Sequence, residues 1–384
     1  MTDYSKIVAG NLADYLRDLE MLVNLDCGTH LKPGVDAVAQ LMRERFREFG
    51  AEVVDYPQEQ HGNMVYGRWR GTGAARIIMI GHMDTVFPAG TIKQSMFRRV
   101  GSRLMGPGVA DMKSGLLAGL YAMRALAQGG FDQFAEIGLF CNSEEEIGSP
   151  ASRDLYAAHA RNADAALILE SARASGAMVS ARKGVGEYKL VVRGKSAHAG
   201  VEPEKGAHAI LALANYIIEL QKLNGSMPGL TLNAGVIDGG TKSNVVPDAA
   251  HAEIDVRILR ASDAAPLEQA MREIVQREFV AGTRAEISGS IKNPPMEKSA
   301  ATTRLVALAQ NAARELGFQV QDVATGGGSD GNYTASMGVP TLDGLGPVGG
   351  NGHNAQEEWT DAESIVPRTA MLAKLLIAIA SEKK

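Results

Sequence analysis

Cysteine is almost absent from this 384-residue chain, which has only Cys27 and Cys141. Two thiols build neither a disulfide framework nor a cysteine-rich zinc site, so a reducing compartment, the cytoplasm, is the expected location. Aromatic residues make up only 5% of the chain, and Asp plus Glu outnumber Lys plus Arg by 44 to 39. With a net charge of −5 and no basic stripe, neither nucleic acid nor an anionic membrane is expected as a partner. No run approaches the roughly 18 apolar residues needed to span a bilayer. The opening MTDYSKIVAGNLADYLRDLEMLVNL carries acids throughout and reads as an amphipathic helix, not a signal peptide.

Glycine, by contrast, is abundant, and its 43 residues gather between periodic segments without forming a repeat. The length favours two domains. In the first half, helix patterns such as GVDAVAQLMRERFREFG and DMKSGLLAGLYAMRALAQGG alternate with apolar runs at Ile77–Ile80, EIGLFCN and AALILE. That alternation predicts an α/β fold, a mostly parallel sheet with helices on both faces. From 183 to 292 the pattern becomes β-α-β-β-α-β, the ferredoxin-like order, which predicts an inserted α+β domain. Asn293–Pro294–Pro295 reads as the return linker. The first domain is then discontinuous, comprising 1–182 and 293–384.

Metal-capable residues fall just past the predicted strands, the edge at which open α/β sheets bind ligands. GHMDTVF gives His82 and Asp84. Two apart on an extended chain, they point the same way, so Asp84 is placed to accept from the second imidazole nitrogen and free the other for a metal. Taken alone, the pair also fits a surface His and an Asp turn. Asp111 in GPGVADMKSG stands at the mouth of a helix and fits an N-cap as readily as a ligand. NSEEEIGS crowds Glu144, Glu145 and Glu146 between an apolar strand and a Gly-Ser turn, where they require a cation or protonation. Glu170 ends the run AALIL, and His353 sits in the glycine-rich loop GGNGHNAQEEW. Each has an ordinary reading, one as a strand-end residue and the other as a loop histidine. Together, two histidines and three or four carboxylates in separate segments match a two-metal hydrolase. Nitrogen and oxygen ligands without thiolates favour zinc, with cobalt or manganese as substitutes.

Five blocks in this order, GHMDTVF, GPGVADMKSG, NSEEEIGS, KSAHAG and GGNGH, resemble the co-catalytic zinc peptidase family. That family includes glutamate carboxypeptidase of the folate-cleaving type, acetylornithine deacetylase, succinyl-diaminopimelate desuccinylase and aminoacylase. The resemblance spans nearly the whole chain. It implies that the inserted domain is a dimerisation or lid domain, and that the protein is a homodimer holding two zinc ions per chain. By the resemblance, His82 and Glu170 hold one zinc, Glu146 and His353 the other, and Asp111 bridges. Glu145 is the implied general base, Asp84 the partner of His82, and Glu144 has no catalytic role.

The implied reaction is hydrolysis of the amide bond to a C-terminal amino acid, with glutamate the first candidate, in a peptide or N-acyl-amino acid. A water between two metals loses a proton near neutral pH, and the adjacent Glu145 collects it. The alternative retains the chemistry in an N-acyl-amino-acid deacylase; a non-catalytic binding protein is the remaining reading. His198 resembles the family histidine that crosses a dimer to the substrate oxygen, and Asn244 and Arg257 resemble the binders of the substrate carboxylate. The backbone of Gly326, Gly327 and Gly328, with Ser329, offers a possible cradle for the same carboxylate, or simply a flexible turn. Where many relatives carry Arg before the Pro-Pro pair, this chain has Asn293.

Overall fold

In a computed structural model, which describes residues 2–383, the apolar runs of the first half become the strands of one twisted sheet. Its six strands lie in the order Glu52–Tyr56, Met64–Arg70, Glu136–Asn142, Arg76–His82, Ala165–Ile168 and Thr341–Leu342. The last four run parallel to one another, and the first two add antiparallel pairs at one edge. Side chains of Arg76–His82 alternate between the two faces. Ile77 and Met79 enter the core beneath the Leu12–Val23, Lys32–Glu48, Ser114–Gln128, Ala300–Glu315 and Ala362–Ser381 helices. Ile78 and Ile80 pack on the opposite face with Tyr156 and Tyr333 from two shorter helices. A strand buried on both sides must be apolar throughout, and full burial of each such side chain contributes about 1.5–3 kcal/mol.

One helix departs from the expectation about apolar runs. Ala362–Ser381 is long and apolar enough by length and composition to cross a membrane, yet 67% of its most apolar stretch is buried. Its Ile365, Met371, Leu372, Leu376 and Ile379 belong to the sheet's core. Arg368 and Lys374 interrupt the run in sequence without making the helix polar on average.

The chain divides into two compact units. The first comprises the residues up to Ala181, Lys298–Thr325, and those from Ser329 onward; the second is Arg182–Glu297 with Gly326–Gly328. Within the second unit, strands Thr231–Gly239, Ala249–Ile258, Gly184–Arg193 and Arg284–Asn293 form an antiparallel sheet in that order. The Ala209–Gln221 and Ala264–Val275 helices cover one face, where Leu213, Tyr216, Leu267 and Met271 meet Leu190, Val192, Ile254 and Val256. This is the β-α-β-β-α-β arrangement. The segment expected to be a return linker starts later than the sequence suggests. Asn293 still pairs with Val185, beyond an irregularity after Ile291, and the change of unit falls after Glu297. Only an edge strand tolerates two prolines at its end, and Arg284–Asn293 is one.

Candidate metal centre

The first unit gathers its metal-capable side chains past the carboxyl ends of its central strands. His82 ends the Arg76–His82 strand, and Glu170 follows Ala165–Ile168 by two residues. Glu145 and Glu146 open a short turn just beyond Glu136–Asn142. Asp111 comes from a tight segment before the Ser114–Gln128 helix. Gly115 permits that approach, because a Cβ there would lie 1.7 Å from the Leu169 carbonyl oxygen. Asp111 does not cap the helix: its φ and ψ are −119° and 88°, and the N-cap position belongs to Lys113.

Asp111 stands between two histidines. Its Oδ1 is 3.0 Å from His82 Nε2, and its Oδ2 is 3.3 Å from His353 Nε2. Glu170 Oε1 lies 3.6 Å from His82 Nε2, and Glu146 Oε2 lies 3.3 Å from His353 Nε2. One donor atom each from His82, Asp111 and Glu146 lies within 4.8 Å of the others. A Cβ on Gly352 would sit 3.1 Å from Asp111 Oδ2, so the loop bearing His353 passes close over the carboxylate. All five residues expected as metal ligands therefore converge.

The electrostatics fit a cation. Burial pushes His82 down, but its hydrogen bonds to Asp111 and Asp84 and the nearby Glu170 outweigh that and hold it well above its ordinary range. Hydrogen bonds to Asp111 and Glu146 raise His353 to about 10, against burial. Burial pushes Asp111 up, yet its bonds from His353 and His82 hold it well below the usual carboxylate range. Glu145 and Glu146 are both raised, chiefly by burial. Three carboxylates against two imidazoles leave a negative cluster whose charge imidazole protons balance only in part. Two divalent ions would complete that balance, and the nitrogen and oxygen donors suit zinc. His82 and Glu170 would hold one ion, His353 and Glu146 the other, with Asp111 shared between them.

Asp84 does more than the sequence suggests, and partly by a different atom. The nearer acceptor for His82 Nδ1 is the Asp84 backbone carbonyl at 3.0 Å; its carboxylate Oδ1 is 3.4 Å away. That carboxylate accepts from Thr29 Oγ1 at 2.6 Å and from the backbone N–H groups of Glu145 and Glu146 at 3.2 and 3.3 Å. It therefore ties the acidic turn to the histidine. Glu144 is buried and caps the Ser152–Ala160 helix, accepting from Ala151 N at 2.5 Å and Ser152 N at 2.7 Å. A residue missed in the sequence is Glu358, also fully buried, whose carboxylate accepts from the backbone N–H groups of Gly108, Ala110 and Asp111. The only signal for it was the Glu-Glu-Trp run five residues after His353.

In the second unit, backbone pairing sets His198 beside Val245, and Ala199 N donates to Asn244 O at 3.0 Å. Both His198 and Asn244 are exposed. His198 Nδ1 accepts from Gly200 N at 3.2 Å, which in the neutral ring places the proton on Nε2 and makes that nitrogen a donor. Arg257, expected to grip a substrate carboxylate, already has its fork on Asp255, with bonds of 2.9 and 2.8 Å. The carbonyls of the triple glycine accept from two arginines of the same unit. Gly326 O accepts from Arg257 Nη1 at 3.4 Å, and Gly327 O and Gly328 O from Arg182 Nη1 at 3.1 Å each.

Ser329 lies in the first unit and is buried. Its hydroxyl caps the Asp330–Ser336 helix and donates to Asp343 Oδ2 at 2.7 Å, so it is committed to structure where the sequence suggested a substrate contact. His208 likewise caps the Ala209–Gln221 helix, and His159 stacks on Tyr66 with ring centroids 4.1 Å apart.

Residues 78–378 match peptidase family M20/M25/M40. Carboxypeptidase G2 of Pseudomonas sp. (strain RS-16) is 27% identical over 372 residues, covering 96% of this chain and 90% of that protein. Among solved structures, aminopeptidase PepT from Bacillus cereus ATCC 10987 superposes with a TM-score of 0.81 at 23% identity, over 96% of this chain and 99% of that one. The YXEP protein of Bacillus subtilis, described as a dinuclear metal-binding peptidase of the M20 family, gives 0.70 at 18% identity, over 97% and 99%. Both structural likenesses concern the fold, whereas the sequence match covers more than three-quarters of the chain. The chain belongs to peptidase family M20/M25/M40 and is a hydrolase.

Proposed function

We propose that this hydrolase is a two-zinc carboxypeptidase that releases a C-terminal amino acid, glutamate being the first candidate, from a peptide or N-acyl-amino acid. The observation that carries the reading is Asp111, whose two carboxylate oxygens face different histidines at 3.0 and 3.3 Å. Two bound cations would acidify a water and polarise the scissile carbonyl. Glu145, half-buried and raised in pKa, takes the proton of the attacking water and passes it to the leaving amine. Asp84 holds that turn in place through the Glu145 and Glu146 N–H groups. His198 presents an Nε2 donor to the developing oxyanion. Asn244 and Arg257 take the substrate's free carboxylate, which exchanges with Asp255 on the guanidinium.

The second unit also carries a surface suited to self-association. Leu211 and Ile218 lie seven residues apart on one helix face at 52% and 58% exposed, and Val236 and Ile237 are exposed on the edge strand Thr231–Gly239. An apolar stripe beside an open sheet edge suits a two-fold contact between copies. Ile218→Glu is expected to shift a dimer toward monomer in analytical ultracentrifugation, and an unchanged distribution would sink the dimer reading.

A panel of dipeptides, N-acyl-glutamates and N-acetylornithine, assayed with zinc, cobalt and manganese, tests the activity. Turnover of peptides or N-acyl-glutamates is expected. Turnover of N-acetylornithine alone would replace the carboxypeptidase by a deacylase. No turnover at all, together with less than one tightly bound transition metal per chain, would leave a binding protein.

A further inference from the structure

We infer that Glu358 is a positioning residue for the metal centre: by gathering three backbone N–H groups, its buried carboxylate fixes the direction in which Asp111 presents its two oxygens. This rests on the two-metal reading above. Glu358 Oε1 accepts from Ala110 N at 2.8 Å and Asp111 N at 3.0 Å, and Oε2 from Gly108 N at 2.9 Å. The segment it holds contains Gly106 and Gly108, both at positive φ, 147° and 73°. Such a backbone has many accessible conformations, and it must be pinned from outside if one carboxylate is to serve two cations.

The pinning comes from a distant stretch of chain that also carries His353. Glu358 N donates to Asn354 O at 2.8 Å, Gly106 N donates to Glu358 O at 3.4 Å, and Thr360 Oγ1 donates to Val109 O at 2.9 Å. Trp359–Asp361 pairs with Arg103–Met105 as adjacent strands. One short stretch thus carries both an imidazole that faces the shared carboxylate and the acid that holds the backbone presenting that carboxylate. The choice of acid is informative. A buried carboxylate this close to Asp111 is electrostatically unfavourable, and a mere spacer would be apolar. Three converging N–H donors require acceptors on both side-chain oxygens, which Glu has and Gln lacks. In Glu358→Gln, at least one backbone N–H faces an amide NH₂, donor against donor.

The test compares wild type, Glu358→Gln and Glu358→Asp as full chains. Zinc affinity is measured by competition with a chromophoric chelator, cobalt loading by the visible absorption spectrum, and folding by the thermal transition of the metal-free protein. Glu358→Gln is expected to unfold cooperatively yet bind the cation pair roughly 10–100-fold more weakly, as loss of an outer partner of a ligand does. Its cobalt bands should shift, because the shared carboxylate changes orientation. Glu358→Asp, which keeps the charge but falls short of the three donors, should lie between the two. Wild-type affinity and spectrum in Glu358→Gln overturn the inference. If that variant does not fold, wild-type affinity in Glu358→Asp overturns it instead. Failure of the wild type itself to bind two cations would count against the two-metal reading, an outcome distinct from a variant that matches a fully loaded wild type.

Discussion

His82 and His353 face opposite oxygens of Asp111 in unlike surroundings. The His82 side chain is 1% exposed, sits at the end of a central strand, and has its second nitrogen held by the Asp84 carbonyl. The His353 side chain is 60% exposed, on a loop where both Asn351 and His353 take positive φ, 59° and 68°. Such a backbone costs of order 1–3 kcal/mol per non-glycine residue and persists only where its surroundings enforce it. The difference separates a preorganised half from an adjustable one. The His82–Glu170 half should capture its cation first and tightly. The His353–Glu146 half should fill second, exchange faster and follow the state of its loop.

The severest way to break this contrast is to remove the part both halves share. Asp111→Ala should abolish tight binding of both cations and cut turnover by more than the roughly 100-fold typical of an outer partner; two retained cations by metal analysis would refute the sharing. Glu145→Gln should cut turnover about 10²–10⁴-fold, the usual worth of a general base, while metal content stays at wild type. Activity that survives would move the base elsewhere.

Milder changes sharpen the asymmetry itself. His353→Ala should retain one tightly bound cation, whereas His82→Ala should lose tight binding and also lower the melting temperature; equal loss from both variants would erase the distinction. The smallest effect is one of pH. With no metal bound, His353 is raised to about 10 from an ordinary value near 6.5, so it carries a proton at neutral pH that a cation must displace. Affinity of the second ion should rise with pH up to about 10 and level off above that. The metal-free fold should show the opposite trend. Protonated His353 stabilises it fully below about 6.5, and that contribution disappears as pH climbs through about 10. Calorimetry in buffers of different ionisation enthalpy measures the released proton, and His353→Asn should remove it.

That these five side chains would gather was legible because strand ends are legible. Apolar runs at Ile77–Ile80, EIGLFCN and AALIL locate the sheet, and the polar residues after them must then share its edge. The doubly buried sheet and the inserted antiparallel one followed from the same periodicities. What sequence could not supply was backbone direction. Asp111 taken alone fits a helix cap, and only the resemblance made it the shared ligand; the chain turns before the helix begins and leaves its carboxylate facing His82 and His353. Asp84 reads as a carboxylate partner, yet its carbonyl is the nearer acceptor. Ser329 and the triple glycine look alike as small, polar, flexible residues, but Ser329 is spent on a helix cap and the glycine carbonyls on two arginines. Glu358 left almost no trace, since a buried acid beside an exposed Glu357 looks like a solvated pair until the chain brings Gly108 to it.

The separation of these ligands along the chain also orders how the centre is made. His82, Asp111, Glu146 and Glu170 all leave the ribosome before the second unit, whereas His353 and Glu358 follow it. A nascent chain therefore carries four of the five candidate ligands before His353 and Glu358 have been synthesised, with Arg182–Glu297 still to emerge in between.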